Sequence, residues 1–208
     1  MARLSCLSSN FMQNLQNYWD AGMSWASYRK QIDDLLLEGK TTSADNSPAM
    51  LEYAKLNQAR MRRLETRTEL DAGILDSLKN LPHGLKILVI AEGWCGDAAQ
   101  VCPPAELMFQ ALGLQTRYVL RDTDTSLIDM FLTNGGRSIP VFIALDANGN
   151  VLGEKWGPRP VALQELRMGW LKEEMPYEQQ AELLHGWYAK DKTLSTQREL
   201  ADWLKSLA

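Results

Sequence analysis

The chain has 208 residues, a formal net charge of −4, 45% hydrophobic residues and 23% charged residues. That composition fits a soluble globular protein with one domain of ordinary size and a sizeable extension. Mild acidity without a long basic run argues against bulk binding to nucleic acid or anionic membranes, and no apolar run approaches the ~18 residues of a membrane span.

In chain order, the first 80 residues read as mostly helical. "SWASYRKQIDDLLLEGK" sets Trp25, Tyr28, Ile32, Leu35 and Leu36 at helical spacing, and Gly39 ends the segment. Ser47 followed by Pro48 is a helix start, a capping hydroxyl ahead of a proline at the first helical position. The run that follows keeps Leu, Tyr, Met and Ile on one face through Leu81. Its six basic residues read as a solvated face, with a partner surface as the alternative.

The texture changes at Pro82. "LKILVIAE" is a short apolar run of buried-strand type. "DAAQVCPPAELMFQALG" puts Ala98, Cys102, Ala105, Phe109 and Leu112 on one helical face, and the prolines predict an interruption near Pro103. "LQTRYVLRD" alternates like a strand. "DTSLIDMFLTNGG" reads as a short helix stopped by Asn-Gly-Gly. "IPVFIALDANGNVLGEKW" reads as a hairpin about Asn148-Gly149. Beyond "GPRP" the pattern is helical to the end, with a capping box Thr196-x-x-Glu199 opening the last helix. The order β, α, β, α, β, β, α predicts an α/β fold: one mixed sheet with a parallel βαβ unit, an antiparallel hairpin and helices on its faces.

Three cysteines, Cys6, Cys95 and Cys102, are too few and too scattered for a disulfide framework. The opening stretch "MARLSCLSSNFMQNLQNYWD" has no apolar core of signal-peptide type, so a cytoplasmic location is expected. The histidines are His83 and His185 alone. Cys95, Cys102 and His83 form a poor ligand set for zinc, and no metal or cofactor is expected.

The chemistry concentrates in "AEGWCGDAAQVCPP". Cys95 falls between the end of a central strand and the start of a helix, where open α/β sheets place active sites. Unpaired N–H groups and partial positive charge at a helix start lower thiol pKa values from ~8.5 to between ~3.5 and 7.5. Cys95 is therefore expected to be a nucleophile, with a buried structural cysteine as the alternative. Gly96 lets a substrate backbone approach, and Trp94 offers a flat apolar surface. Asp97 is expected to cap the helix or to accept a proton, and so close a carboxylate would raise the thiol. Cys102 lies seven residues on, ~10 Å along a helix. A disulfide needs Cα atoms within ~4.4–6.8 Å. Cys102 is thus a small core residue, or a resolving thiol reached only if a turn unwinds at Pro103-Pro104.

These residues resemble the thioredoxin-like superfamily over roughly residues 80–173. Trp94-Cys95-Gly96 is similar to that family's Trp-Cys-Gly, and Pro103 to the proline that kinks its active-site helix. Ile139-Pro140 is similar to its cis-proline dipeptide, which lies beside the sulfur and aligns the substrate. Gly149 and Gly157 match its hairpin turn and the glycine after its last strand. With "LTNGGRSIP" and the helical arm, the chain resembles a bacterial branch that has a long helical N-terminus and a single cysteine in "WCGDA". The resemblance implies a thioredoxin-like fold with three parts: a helical extension over 1–80 packed on the core, the thioredoxin-like domain over 81–173, and a C-terminal helical extension over 174–208. Two departures matter. Ala98 stands where the family has its second cysteine, and Val89 where it has a buried aspartate, so a dithiol cycle within the motif is excluded.

What the resemblance leaves is a monothiol thiol–disulfide oxidoreductase. Cys95 would be the nucleophile. Trp94, Gly96, Asp97, Ile139 and Pro140 would bind substrate, and the mixed disulfide would be resolved by Cys102 or an external thiol. Its partners would be protein or low-molecular-weight thiols and disulfides. The alternatives are a thioredoxin-fold binding module without catalysis, or a thiol peroxidase, for which Arg121 and Arg137 are the arginines that folding would have to bring near. A glutaredoxin-like cluster site is disfavoured, because no basic residue precedes the cysteine in "AEGWCGDA".

Overall fold

The structure is a computed structural model and describes residues 14–79 and 81–207; Cys6 and the first residues of the helical arm lie outside it. The arm contains α1 (Gln16–Ala21), α2 (Trp25–Leu37), α3 (Pro48–Arg67) and the short α4 (Ala72–Asp76). Ser47 caps α3 by accepting the Met50 N–H at 3.4 Å, with Pro48 behind it. The helical run predicted through Leu81 is broken after Arg67. Asp71 starts a new helix there by accepting the N–H groups of Gly73 and Ile74, and such a side-chain acceptor favours a fresh start over continuation.

The sheet is formed by β1 (Lys86–Ala91), β2 (Gln115–Leu120), β3 (Val141–Leu145) and β4 (Val151–Trp156), in the order β2-β1-β3-β4. β1 pairs parallel with β2 and antiparallel with β3, and β3 pairs antiparallel with β4. This is the mixed α/β sheet of a thioredoxin-like fold. The parallel pair requires a crossover, and α5 (Gly96–Ala111) supplies it. The helix α6 (Thr125–Asp129) follows β2; α7 (Val161–Lys172), α8 (Tyr177–Asp191) and α9 (Leu194–Lys205) follow β4. β1 and β3 are buried nearly throughout, as their unbroken apolar sequences require.

The arm is packed against this core. Met23 exchanges both backbone hydrogen bonds with Tyr118 at the edge strand β2, each 2.8 Å. The ring of Trp25 and the stacked ring of Tyr28 each lie 5.1 Å from that of Tyr118. Met61 and Asn57 of α3 are fully buried.

Two local expectations are corrected. α5 runs unbroken through Pro103 and Pro104. Each proline removes one N–H donor, but nearly every residue of α5 is buried and the helix is packed between α3, α9 and the sheet. Tertiary packing overrides the local penalty. Thr196 does not open the last helix either, because α9 begins at Leu194. Glu199 instead accepts the Val161 N–H at 2.8 Å and the Trp156 indole N–H at 3.3 Å. It thereby serves the start of α7, where Pro160 has no side chain able to cap.

Candidate active site

β1 delivers the chain into the Glu92–Trp94 turn, and Cys95 is the residue before the first turn of α5. The capping role expected of Asp97 belongs to the sulfur. Cys95 Sγ accepts the Ala98 N–H at 3.5 Å, and its S–H points to the Ile139 carbonyl at 3.3 Å. The Ile139–Pro140 peptide bond is cis. Gly157 packs so closely on the Pro140 carbonyl that a Cβ there would collide with it, and its φ of 115° suits glycine alone.

Asp97 sits in the first turn of α5, buried, with both oxygens engaged. Arg159 donates Nε–H to Oδ1 at 3.0 Å and an Nη–H to Oδ2 at 2.5 Å, and the Tyr188 hydroxyl donates to Oδ1 at 2.8 Å. Arg159 comes from the loop before α7 and Tyr188 from α8, so the C-terminal helices are fastened directly beside the sulfur. Arg159 is held more firmly protonated than an ordinary arginine: burial works against its charge, and the Asp97 carboxylate outweighs burial.

Burial opposes the activation that the position of the thiol predicts. Cys95 is 8% exposed. Burial first, and then the Asp97 carboxylate, push its pKa up to about 12. The amide N–H groups of Ala98 and Asp97 and the Arg159 guanidinium pull the other way without prevailing. The positive end of a helix is a modest influence that falls off within a turn, whereas full burial of a charge can shift a pKa by ~3–5 units. Cys102 is fully buried and raised as well, by burial first and then by Cys95 and Glu106. It stays in the core face of the intact α5.

What buries Cys95 comes from far along the chain. A Cβ on Gly96 would lie 2.5 Å from the Tyr53 hydroxyl of α3 and 3.1 Å from Cε1 of His185 on α8. The space expected to admit a substrate backbone is therefore occupied by the protein's own helices. Asn57 of α3 donates to the Trp94 carbonyl at 2.8 Å, and Thr42 accepts the Gly93 N–H at 3.1 Å. His185 is lowered to about 4, by burial first and then by Arg60, and is a neutral imidazole at pH 7. Local sequence carries no signal for Tyr53, Arg159, His185 or Tyr188, because only the packing of the extensions brings them here.

A cavity of about 300 Å³ remains at the sulfur, lined by Trp94, Cys95, Ile139, Arg159, Arg167 and His185 among others. The guanidinium of Arg121 lies 4.8 Å over the Trp94 ring, and Arg137 is paired with Asp129. A larger groove of about 1040 Å³, between the ends of α3 and α8, does not include Cys95. Among the described residues no three His, Cys, Asp or Glu side chains gather as metal ligands would, and no helix is long and apolar enough to cross a membrane.

None of the curated proteins compared with the chain matches it. Two solved structures share the fold. One is a protein of unknown function from Pseudomonas aeruginosa, at 14% identity and a TM-score of 0.60, with 95% of this chain and 100% of that one covered. The other is an HIV epitope scaffold, also at 14% and 0.60, with 94% and 100% covered. A family model described as Thioredoxin matches residues 44–176, well over half of the chain, and the match takes in α3, the Cys95 loop and the whole sheet. The chain belongs to that thioredoxin family.

Proposed function

We propose that this protein is a monothiol thiol–disulfide oxidoreductase with Cys95 as its nucleophile. The observation that carries the reading is the placement of Cys95 Sγ at the start of α5, facing the Ile139 carbonyl and opening on a cavity. In the reaction Cys95 gives up its proton to solvent and the thiolate attacks one sulfur of a disulfide RSSR. A Cys95–S–S–R bond forms as the S–S bond breaks, and RS⁻ leaves. A second thiolate from solution then attacks the adduct, restores Cys95 and carries R away as a new disulfide. An external thiol suits the second step better than Cys102, which would have to leave the core of an intact helix. Trp94, Asp97 and Ile139 line the cavity with the sulfur and, with Pro140 next in the chain, would position the incoming disulfide. A free, reduced thiol of this kind suits a cytoplasmic setting.

One observation favours a second reading. A thiol raised to about 12 is almost wholly protonated at pH 7, which suits a thioredoxin-fold binding module whose sulfur takes no part. The two readings part in a single experiment, in which the full chain is incubated with glutathione disulfide and the adducts are located by peptide mass spectrometry. Exchange predicts an adduct on Cys95 that dithiothreitol removes and that Cys95→Ser abolishes. An adduct level unchanged in Cys95→Ser, or none on Cys95, would leave the binding module.

A further inference from the structure

The cavity at Cys95 is lined by three arginines, Arg121, Arg159 and Arg167, against one carboxylate, Asp97. Arg167 lines it and donates to the Gln180 side-chain oxygen at 2.5 Å; that amide is its one side-chain partner and no carboxylate pairs with it among the described residues. The Trp94 indole Nε1 is buried and has no partner among the described residues, and neither has Nε2 of His185. The Gln100 amide N–H₂ faces His185 Nδ1 at 3.2 Å. Nδ1 therefore accepts, and the imidazole proton sits on Nε2 as a second unmet donor. That nitrogen lies next to the sulfur's own turn, 3.3 Å from the place of a Cβ on Gly96.

Asp97 is the one carboxylate among the lining residues, and Arg159 and Tyr188 already occupy it. Buried donors left unpaired carry a penalty that a ligand acceptor removes. A volume of about 300 Å³ is at the lower end of small-molecule sites, and Cys95, only 8% exposed, favours a small disulfide over one held on a bulky protein surface.

Resting on Cys95 as the exchanging thiol, we infer that the substrate is a low-molecular-weight disulfide or thiol bearing a carboxylate. The carboxylate pairs with Arg167. The exchange step is the one written above, with R a small acid.

The test compares two symmetrical disulfides of similar size, 3,3′-dithiodipropionate with a carboxylate on each half and cystamine with an ammonium on each half. Each rate of adduct formation on Cys95 of the full chain is divided by that of the same disulfide with a free model thiol, which removes the leaving-group difference; so normalised, the acid should react at least ~10-fold faster. In Arg167→Gln that ratio should fall below ~3-fold. Equal or faster reaction with cystamine, or a preference that survives Arg167→Gln, overturns the inference while leaving exchange itself intact. Calorimetry on Cys95→Ser supplies the separate readout. Arg167-dependent binding of dithiodipropionate there, with no adduct on the unsubstituted chain, upholds the acid site and removes the redox reading. No binding and no adduct overturns both.

Discussion

The junction of β1 with α5 and the helices that cover it pull the same sulfur in opposite directions. The junction offers what makes a cysteine acidic: a helix start and the N–H groups of Asp97 and Ala98. The cover, made of α3 and α8 with Tyr53, Asn57, His185 and Tyr188, removes the water that a thiolate needs. The outcome, a thiol pushed up to about 12, shows that the cover prevails. The Trp94–Ala98 stretch sets where the sulfur points, while burial under elements about 40 and 90 residues away, with Asp97 second, raises its pKa.

The largest way to break this arrangement is through Arg159. Arg159→Met leaves the Asp97 carboxylate buried with only the Tyr188 hydroxyl and its own backbone surroundings. Removing one partner of a buried pair costs ~3–5 kcal/mol, because the other charge remains uncompensated. Urea unfolding should show a loss of that size, and Arg159→Met with Asp97→Asn should recover part of it. A loss under 1 kcal/mol would mean that α7 and α8 are held on the core by other contacts.

Glu92 reads the cover of the arm on the other side of the junction. It is fully buried at the end of β1 and accepts the Asp122 N–H at 2.9 Å. Burial raises its pKa to about 7, against the pull of hydrogen bonds from Thr42 and Asp122. A carboxyl raised in the folded state stabilises fully below its unfolded value near 4.5, and that contribution is lost as the pH climbs through 7. Glu92→Gln should therefore unfold near the unsubstituted chain at pH 4.5 and be the more stable by up to ~3 kcal/mol at pH 8. A difference independent of pH would mean that Glu92 is hydrated and the arm covers it poorly.

The sequence shows the sheet and the site's position for a physical reason: β1, β2 and β3 are local runs of apolar or alternating residues, and Trp94-Cys95-Gly96 is contiguous. Ser47-Pro48 and Asn148-Gly149 likewise act through their own backbone, and α3 and the hairpin begin and turn where they stand. Two failures are local, the fresh helix start at Asp71 and the sulfur cap at Cys95; the others are cases of distant packing. Pro103 does not interrupt α5, because both flanks of that helix are buried. Glu199 spans to α7 instead of closing a capping box. Most consequentially, the raised thiol follows from Asp97 and from burial by helices that no local pattern aligns with Cys95. The Arg159–Asp97–Tyr188 contact joins residues 62 and 91 positions apart, and a charge at such a separation has no sequence signature.

The smallest expected effect is the most direct test of the cover. Asn57, fully buried in α3, donates to the Trp94 carbonyl at 2.8 Å and accepts from Arg60 at 2.7 Å. Asn57→Ala removes that tie and leaves the Trp94 carbonyl and the Arg60 donor without it, at a cost of ~1–2 kcal/mol. The fold survives, but α3 sits more loosely over the Cys95 turn. Because the sulfur's own hydrogen bonds to Ala98 and Ile139 are untouched, any change in its reactivity reports the cover alone. Iodoacetamide alkylation of Cys95, followed by mass spectrometry across pH 6–10, should be slow in the unsubstituted chain and still rising at pH 10. In Asn57→Ala the rate at pH 8 should rise several-fold and the mid-point fall, since partial hydration of the thiolate relieves the desolvation that is the largest cause of the upward shift. An unchanged mid-point with lower stability would place the silencing of the sulfur on Asp97 instead, and would make the carboxylate, rather than the arm, the element that decides when Cys95 can react.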